Sequence, residues 1–385
     1  MHPAIETSDL YGDRLSADLA GVRLLVGHTV RRIFSRHFGH AAEHLRSQIT
    51  APPTASGAPA DVRATTCRNF RTGLLDYLLD TGALAADGER VRITDRLAVS
   101  ATEQEEARAL VAGEQRFVTM QEVLGLFEQQ SAQLLSGEDG IELMRKAFGF
   151  SRMQEIWERL TLELPQRHVE RTLGAKALVA RMRAQSAGIT VLECGAGIGA
   201  VLRRALEMPE FNARLPALQR YLYTDINPFL VEWGRQWFHR NAPPELIRRM
   251  EFRVLDLDKL PAPGVCEPGS VDLLMLDDVA HDAIDLHATL SQLHGALTES
   301  GWLAMTENFR QRPRDFLHVE IFAMTFHGYN RARLDPGRRD HHGFMTLGEW
   351  RRSLADARFA APHVYPDPQD HERWPMGCIV AARAP

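Results

Sequence analysis

The chain is short of several things, and each shortage excludes something. Its four cysteines (Cys67, Cys194, Cys266 and Cys378) are scattered over 385 residues with no C-x-x-C pair. That argues against a disulfide framework or a cysteine zinc site and favours a reducing compartment. Long uncharged apolar runs are lacking, and the opening "MHPAIETSDLYGDR" has no apolar signal core. Neither a membrane span nor a secretory leader is expected, and a cytoplasmic location is. Net positive charge is absent too: 45 Lys and Arg stand against 50 Asp and Glu, for a net charge of −5. No strong basic field is there to draw nucleic acid or an anionic membrane. Lysine itself is scarce, only Lys146, Lys176 and Lys259, a bias that reads as GC-rich coding.

What is present is ordinary in bulk and patterned in detail. Apolar content of 44% and charged content of 25% are those of a globular protein, and the length suits one large domain or two of common size. The first half reads as mostly helical. "DRLSADLAGVRLLVGHTVRRIFSRHF" has apolar residues at helical spacing, and "APPTASGAPAD" (51–61) breaks the pattern. "FRTGLLDYLLDTGALAADGERVRIT" predicts a helix ending near Gly82, a turn at Asp87-Gly88 and a short strand, as in a winged helix. Such modules often bind DNA, but residues 1–100 carry 12 Arg, no Lys and 11 acids, so no basic footprint supports it. More helix is predicted from about Glu103 to Arg183, interrupted near Gly137 and Gly149.

After about residue 170 the pattern changes. "ITVLEC", "RYLYTD", "EFRVLD", "VDLLML" and "GWLAMTE" recur every twenty to thirty residues with helical patterns between most of them. That alternation implies a parallel sheet covered by helices. "APHVYP" and "GCIVAARA" have no helix between them and predict an antiparallel pair at the sheet edge. The expected division is a helical domain over 1–170 and an α/β domain over 171–385.

In such a sheet, ligands bind beyond the carboxyl ends of the strands. "VLECGAGIGA" runs from a strand into a turn with Gly195, Gly197 and Gly199, which lets backbone approach a ligand closely. The spacing is not G-x-G-x-x-G, so the dinucleotide fingerprint is unmet, and a plain tight turn is the competing reading. Asp225 ends the next strand, where a carboxylate can accept both hydroxyls of a ribose; Asp256 ends the third. No GK[ST] follows the glycines, and acids at this edge would repel a triphosphate. A ligand with ribose and base but little negative charge is implied, and S-adenosylmethionine fits.

"VLECGAGIG", "YLYTDINPFL", "FRVLDLD", "VDLLMLDDVAHDAIDLHATLSQLHGALTESGWLAMTE" and "GFMTLGEWRRSLADARF" follow one another in the order of family blocks. From about residue 190 onward the chain resembles a class I S-adenosylmethionine-dependent methyltransferase, and within that fold most resembles the C-methyltransferase domains of polyketide synthases. The resemblance implies a Rossmann-like seven-stranded core beneath a mostly helical N-terminal lid with a winged-helix-like piece. It implies that Glu193, Gly195, Ala196, Gly197 and Gly199 approach the methionine part of the cofactor. Asp225, with Ile226 and Asn227, would hold the ribose, Asp256 and Leu257 would flank the adenine, and Asp277 would border the same site. It also implies that His281 is a base oriented by Glu307, deprotonating a carbon between two carbonyls. A carboxylate on one imidazole nitrogen fixes the tautomer and raises the basicity of the other. From the residues alone, a solvated loop histidine and a capping glutamate compete with that role.

The chain departs from the family in two places. The usual N-V-L-H-A-T is Asp278-Val279-Ala280-His281-Asp282-Ala283 here, adding two acids beside the base. Ile198 and Ala200-Val201 replace the usual Thr and Gly-Thr in the glycine loop. Small-molecule O-methyltransferases resemble the chain as well, pairing a winged-helix domain with a histidine that deprotonates a hydroxyl, and form the alternative. No DPPY or NPPY signature of amino-group methyltransferases follows the fourth strand. A metal is not expected. The His281, Asp282, Asp285, His287 group is split by a helix whose Leu286, Leu290, Leu293 and Leu297 face the core, sending Asp285 and His287 to solvent. "DHHGF" reads as a solvated loop, with a place at the substrate mouth as the other option, and Trp350 reads as core. With no carrier attachment signature or condensing region, the sequence reads as a discrete enzyme acting on a small-molecule or carrier-protein-bound acyl substrate, its oligomeric state open.

Overall fold

The computed structural model describes residues 5–51, 62–185, 188–260, 262–313, 315–370 and 373–384. The break expected at 51–61 lies almost wholly outside the described residues.

The helical half begins with Asp13–Phe38, whose buried Leu15, Leu19, Val22, Val26, Val30, Ile33 and Phe34 recur at three- and four-residue steps. Strand β1 (Glu43–Leu45) follows, then a helix, Val62–Asp80, and the hairpin of β2 (Leu84–Asp87) and β3 (Arg90–Ile93). Gly82 and Gly88 sit at φ 72° and 57°, where a side chain would be strained. The three strands pair antiparallel in the order β1-β3-β2. The winged-helix-like piece is therefore present, with β1 an addition too short to show in the sequence pattern. Helices Ala101–Gly113, Gln115–Gln129, Ser131–Leu135 and Gly140–Glu163 follow. The breaks fall at Gly137 (φ 82°) and Gly149 (φ 70°), where glycine alone marked them in the sequence.

The second half is built on seven strands. These are β4 (Ile189–Cys194), β5 (Leu218–Asp225), β6 (Met250–Val254), β7 (Val271–Asp277), β8 (Leu297–Asn308), β9 (His363–Tyr365) and β10 (Met376–Ala382). Their order is β6-β5-β4-β7-β8-β10-β9, with β10 antiparallel to β8 and β9 and the other pairs parallel. The chain reverses its direction of winding between β4 and β7, so a crevice opens beyond their carboxyl ends. Register places Cys194 beside Thr224 and Leu276, and Asp277 beside Thr306. The segments that follow β4, β5, β7 and β8 thus emerge at one edge.

The helix Leu286–Ala296 buries Leu286, Leu290 and Leu293, and Asp285 caps it by accepting from the Ala288 N–H at 3.1 Å. Leu297, expected on that helix, instead opens β8. Asp285 is spent as a cap, and His287 is half-buried with Nδ1 enclosed rather than solvated.

Residue 170 lies within the helix Pro165–Ala184, which packs across β7, β8 and β10. The halves interlock: Phe316, Ile321, Met324, Tyr329 and Phe344, from the stretch after β8, join the apolar cluster of the N-terminal helices, and Ile5, Leu15 and Leu19 join that of the sheet. No periodicity announced that packing, because the stretch holds only four- and three-residue helical turns, Glu320–Ala323 and Gly328–Asn330. No helix among the described residues is long and apolar enough to cross a membrane.

Candidate active site

The glycine turn is shaped by three left-handed residues: φ is 67° at Gly195, 57° at Gly197 and 79° at Gly199. A Cβ on Gly195 would fall 2.7 Å from Val279, and one on Gly199 would fall 2.6 Å from the buried Phe238 ring. Around Gly197 there is open space, so a ligand can come close to this part of the turn, whose C=O accepts from the Tyr223 hydroxyl at 2.7 Å. Asp225 fastens this turn from β5. Its Oδ2 accepts from the Gly197 N–H at 2.9 Å and its Oδ1 from the Asn227 N–H at 2.8 Å. Burial raises its carboxyl above the usual range, and the two N–H donors pull it back.

A cavity of about 540 Å³ opens in front of the turn. Of the predicted residues, Gly195, Ala196, Gly197, Asp225, Ile226, Asn227, Asp256, Leu257, Asp277 and His281 line it. Three do not. Gly199 caps the helix Ala200–Leu206 behind the turn. Glu193 is fully buried beneath it, accepting from the Tyr221 hydroxyl at 2.7 Å, and burial pushes its carboxyl up to about 8. Glu307 stands behind His281. The far wall is apolar: Met144, Trp157 and Leu160 come from the N-terminal helices, and Phe322, Phe326 and Phe344 from the stretch after β8 that packs on them. "DHHGF" therefore borders the cavity through Phe344, and His341 is not solvated but lies between the Arg310 guanidinium at 2.9 Å and Glu349 at 3.1 Å. Trp350 is buried core, as expected.

His281 follows β7 in a single turn, Ala280–Asp282, and is buried. Its Nδ1–H donates to Glu307 Oε2 at 2.8 Å, and its backbone N–H donates to Oε1 of the same carboxylate at 3.2 Å. Glu307 is fully buried. That double hold fixes the ring and leaves Nε2 facing the cavity. Phe344 and Tyr329 pack on the ring at centroid distances of 4.4 and 5.4 Å. Burial by itself would lower the imidazole, but the Glu307 and Asp282 carboxylates outweigh it and raise it to about 10. The buried Arg339 supports the turn from below, donating to the carbonyls of His281 and Ala283.

The two extra acids differ in surroundings. Asp278, held at φ 55°, pairs with Arg167 at 3.0 Å and accepts from the Asn308 amide at 3.3 Å. Arg167 also meets Asp277 at 2.7 Å and Glu170 at 2.5 Å, and Asn308 donates to Glu170 at 2.7 Å. This network was not visible in the sequence, since Arg167 and Glu170 lie over a hundred residues upstream of Asp277, Asp278 and Asn308. Asp282 has no such partner: its Oδ1 is buried, accepts no hydrogen bond, and lies 3.6 Å from His281 Nε2.

Asp278, His281 and Glu307 also bring one ligand atom each within 4.8 Å of one another, a spacing a cation can use. Two of the three are already joined by the Nδ1–Glu307 hydrogen bond, so a cation there would have to displace that proton. Asp282, Asp285 and His287, grouped with His281 in the sequence, are not part of it.

Comparison with known proteins bears on this arrangement. No family model matches the chain. Over 187 residues, 47% of the chain, it is 28% identical to a highly reducing polyketide synthase, resH, of Aspergillus sclerotiorum; the match is 7% of that synthase. Among solved structures it superposes on the DszA carbon methyltransferase with a TM-score of 0.75, at 18% identity, covering 100% of this chain and 97% of that one. It superposes on the trans-methyltransferase CalH, solved with S-adenosylhomocysteine, with a TM-score of 0.61, at 17% identity, covering 100% and 93%. The chain has the fold of these methyltransferases from end to end, helical half included.

Proposed function

From a chain folded as the polyketide carbon methyltransferases are, we propose that it transfers a methyl group from S-adenosylmethionine to an activated carbon of a β-ketoacyl or related intermediate, free or carrier-bound. The observation that carries this reading is the buried His281–Glu307 pair opening onto the same cavity as the glycine turn. When bound, the cofactor supplies an electrophilic methyl group on a sulfonium. Asp225 and Asp256 suit its ribose and adenine, Gly197 leaves room for its amino-acid end, and the acids Asp277 and Asp278 suit its positive charge. His281, with Nδ1–H held by Glu307, takes the proton from the acceptor at Nε2. The apolar wall suits an acyl chain and excludes water from the carbanion.

The test is transfer of a labelled methyl group to β-ketoacyl pantetheine and carrier thioesters, with phenols and hydroxy acids alongside, the label located by NMR. Label on carbon is expected. Label on oxygen would make His281 the base of an O-methyltransferase and overturn the carbon reading. A second expectation concerns the cofactor. Asp225→Ala removes the ribose acceptor and also frees the Gly197 and Asn227 N–H groups, so the affinity for S-adenosylhomocysteine should fall about 100-fold, close to 2.7 kcal/mol. Calorimetry that finds the two proteins within a factor of three would remove Asp225 from the cofactor site.

A further inference from the structure

We propose that Asp282 is the group through which the proton taken by His281 leaves the site. The inference rests on the reading of His281 as base. Methylation of a carbon releases one proton per turnover: the electron pair of the C–H bond becomes the new C–C bond, the S–CH₃ pair stays on sulfur, and the proton is left on Nε2. It must leave before the next turnover, and the structure narrows how.

The Nδ1 side of the ring is closed. Glu307 is fully buried, and both of its oxygens are occupied by His281, one by Nδ1–H and one by the backbone N–H. The ring faces are covered by Phe344 and Tyr329, the Tyr329 hydroxyl is bound to Glu320, and Arg339 is engaged with backbone carbonyls beneath the turn. Asp278 is committed to Arg167 and Asn308. Among the described residues, Asp282 is the carboxylate that remains on the Nε2 side. Its Oδ1 is 3.6 Å away with no hydrogen bond of its own, one small side-chain rotation from accepting an N–H. Its side chain as a whole is 40% exposed and lines the cavity, so the carboxyl joins the buried nitrogen to water. Burial raises this carboxyl above the usual aspartate range, against the pull of His281, which suits it to hold a proton briefly. The path is then acceptor carbon to Nε2, Nε2 to Asp282 Oδ1, and carboxylic acid to water. His281 returns to neutral with Nδ1–H still on Glu307, and no other reactant is consumed.

Asp282→Asn keeps the shape and removes the relay, and Asp282→Glu keeps a carboxylate. On a β-ketoacyl pantetheine thioester, and compared at equal fractions of neutral His281, Asp282→Asn is expected to complete its first turnover at close to the wild-type rate. Its steady-state rate should fall about tenfold and recover as small buffers such as imidazole or formate are added. The wild type and Asp282→Glu should be indifferent to buffer. In the protein without substrate, NMR titration of the His281 ring should move down by about one pH unit in Asp282→Asn, since a facing carboxylate is lost. Wild-type transfer with an Asp282→Asn variant that is equally fast, indifferent to buffer and unmoved in its titration would overturn the relay and leave the base. A wild type that labels no carbon acid would instead overturn the base, and the relay with it.

Discussion

If His281 is the base, as proposed, His281→Ala should lower kcat for carbon methylation by about 10²–10⁴-fold while leaving the affinity for S-adenosylhomocysteine within a factor of about three, because on that proposal only the proton transfer needs the ring. The pH dependence follows from the raised imidazole. To accept a proton the ring must be neutral, and its two carboxylate neighbours hold it protonated up to about 10. The wild-type rate should therefore rise with pH through the neutral and alkaline range and level off only near that value. Glu307→Gln removes the larger of the two attractions, so the same rise should occur at lower pH, with a lower plateau because the weaker base drives the transfer less. A rate that is flat in pH, or His281→Ala losing less than threefold, would mean that another group accepts the proton. A fall in cofactor affinity equal to the fall in kcat would mean that the ring only shapes the cavity.

Much of the core was legible because its signals are local. Each run of the large sheet is a short apolar stretch closed by a polar or glycine residue, and the strands begin or end within a few residues of those runs. His281 and Glu307 could be brought together on paper because His281 follows one strand by a few residues, Glu307 lies at the end of the next, and the two strands are neighbours, so the contact spans a single repeat. Glu193 misled for the opposite reason. It sits in the glycine motif, but alternation along β4 turns its side chain under the turn toward Tyr221. The Arg167, Glu170, Asn308 and Asp278 network had no signal at all, because its members come from a helix and two strand ends that only the finished fold assembles. The wall of the cavity was equally silent. Phe322, Phe326 and Phe344 lie in a stretch with no helical or strand period, and it is burial against helices from the other half that gives them a place.

That wall rests on one buried ion pair, and breaking it should have the largest effect on stability. Glu320 is fully buried and pairs with the Arg310 guanidinium, accepts from the Tyr329 hydroxyl at 2.5 Å, and accepts from the Leu317 N–H at 2.9 Å. Tyr329 in turn accepts from the Phe344 N–H at 3.0 Å, and Arg310 donates to His341, which Glu349 holds from the other side. Burial alone would lower the Arg310 pKa, but the Glu320 carboxylate and Tyr329 more than offset that, so the guanidinium stays charged. Glu320→Ala therefore leaves a buried cation without its partner, and a loss of about 3–5 kcal/mol is expected in chemical denaturation. Tyr329→Phe removes the hydrogen bond to charged Glu320 and leaves the buried Phe344 N–H without its acceptor, and should cost at least about 1.5–3 kcal/mol. The two rings that pack on His281 are both tied to this cluster, so activity should fall further in Glu320→Ala than the unfolded fraction accounts for. A double replacement of Arg310 and Glu320 by Met and Leu removes the stranded charge along with its partner. It should recover most of the lost stability, yet not the activity, because the Tyr329 hydroxyl would still lack the acceptor that orients it. If Glu320→Ala instead unfolds within 1 kcal/mol of the wild type, the stretch after β8 is held by its apolar contacts alone, and the positioning of Tyr329 and Phe344 over His281 must come from the N-terminal helices.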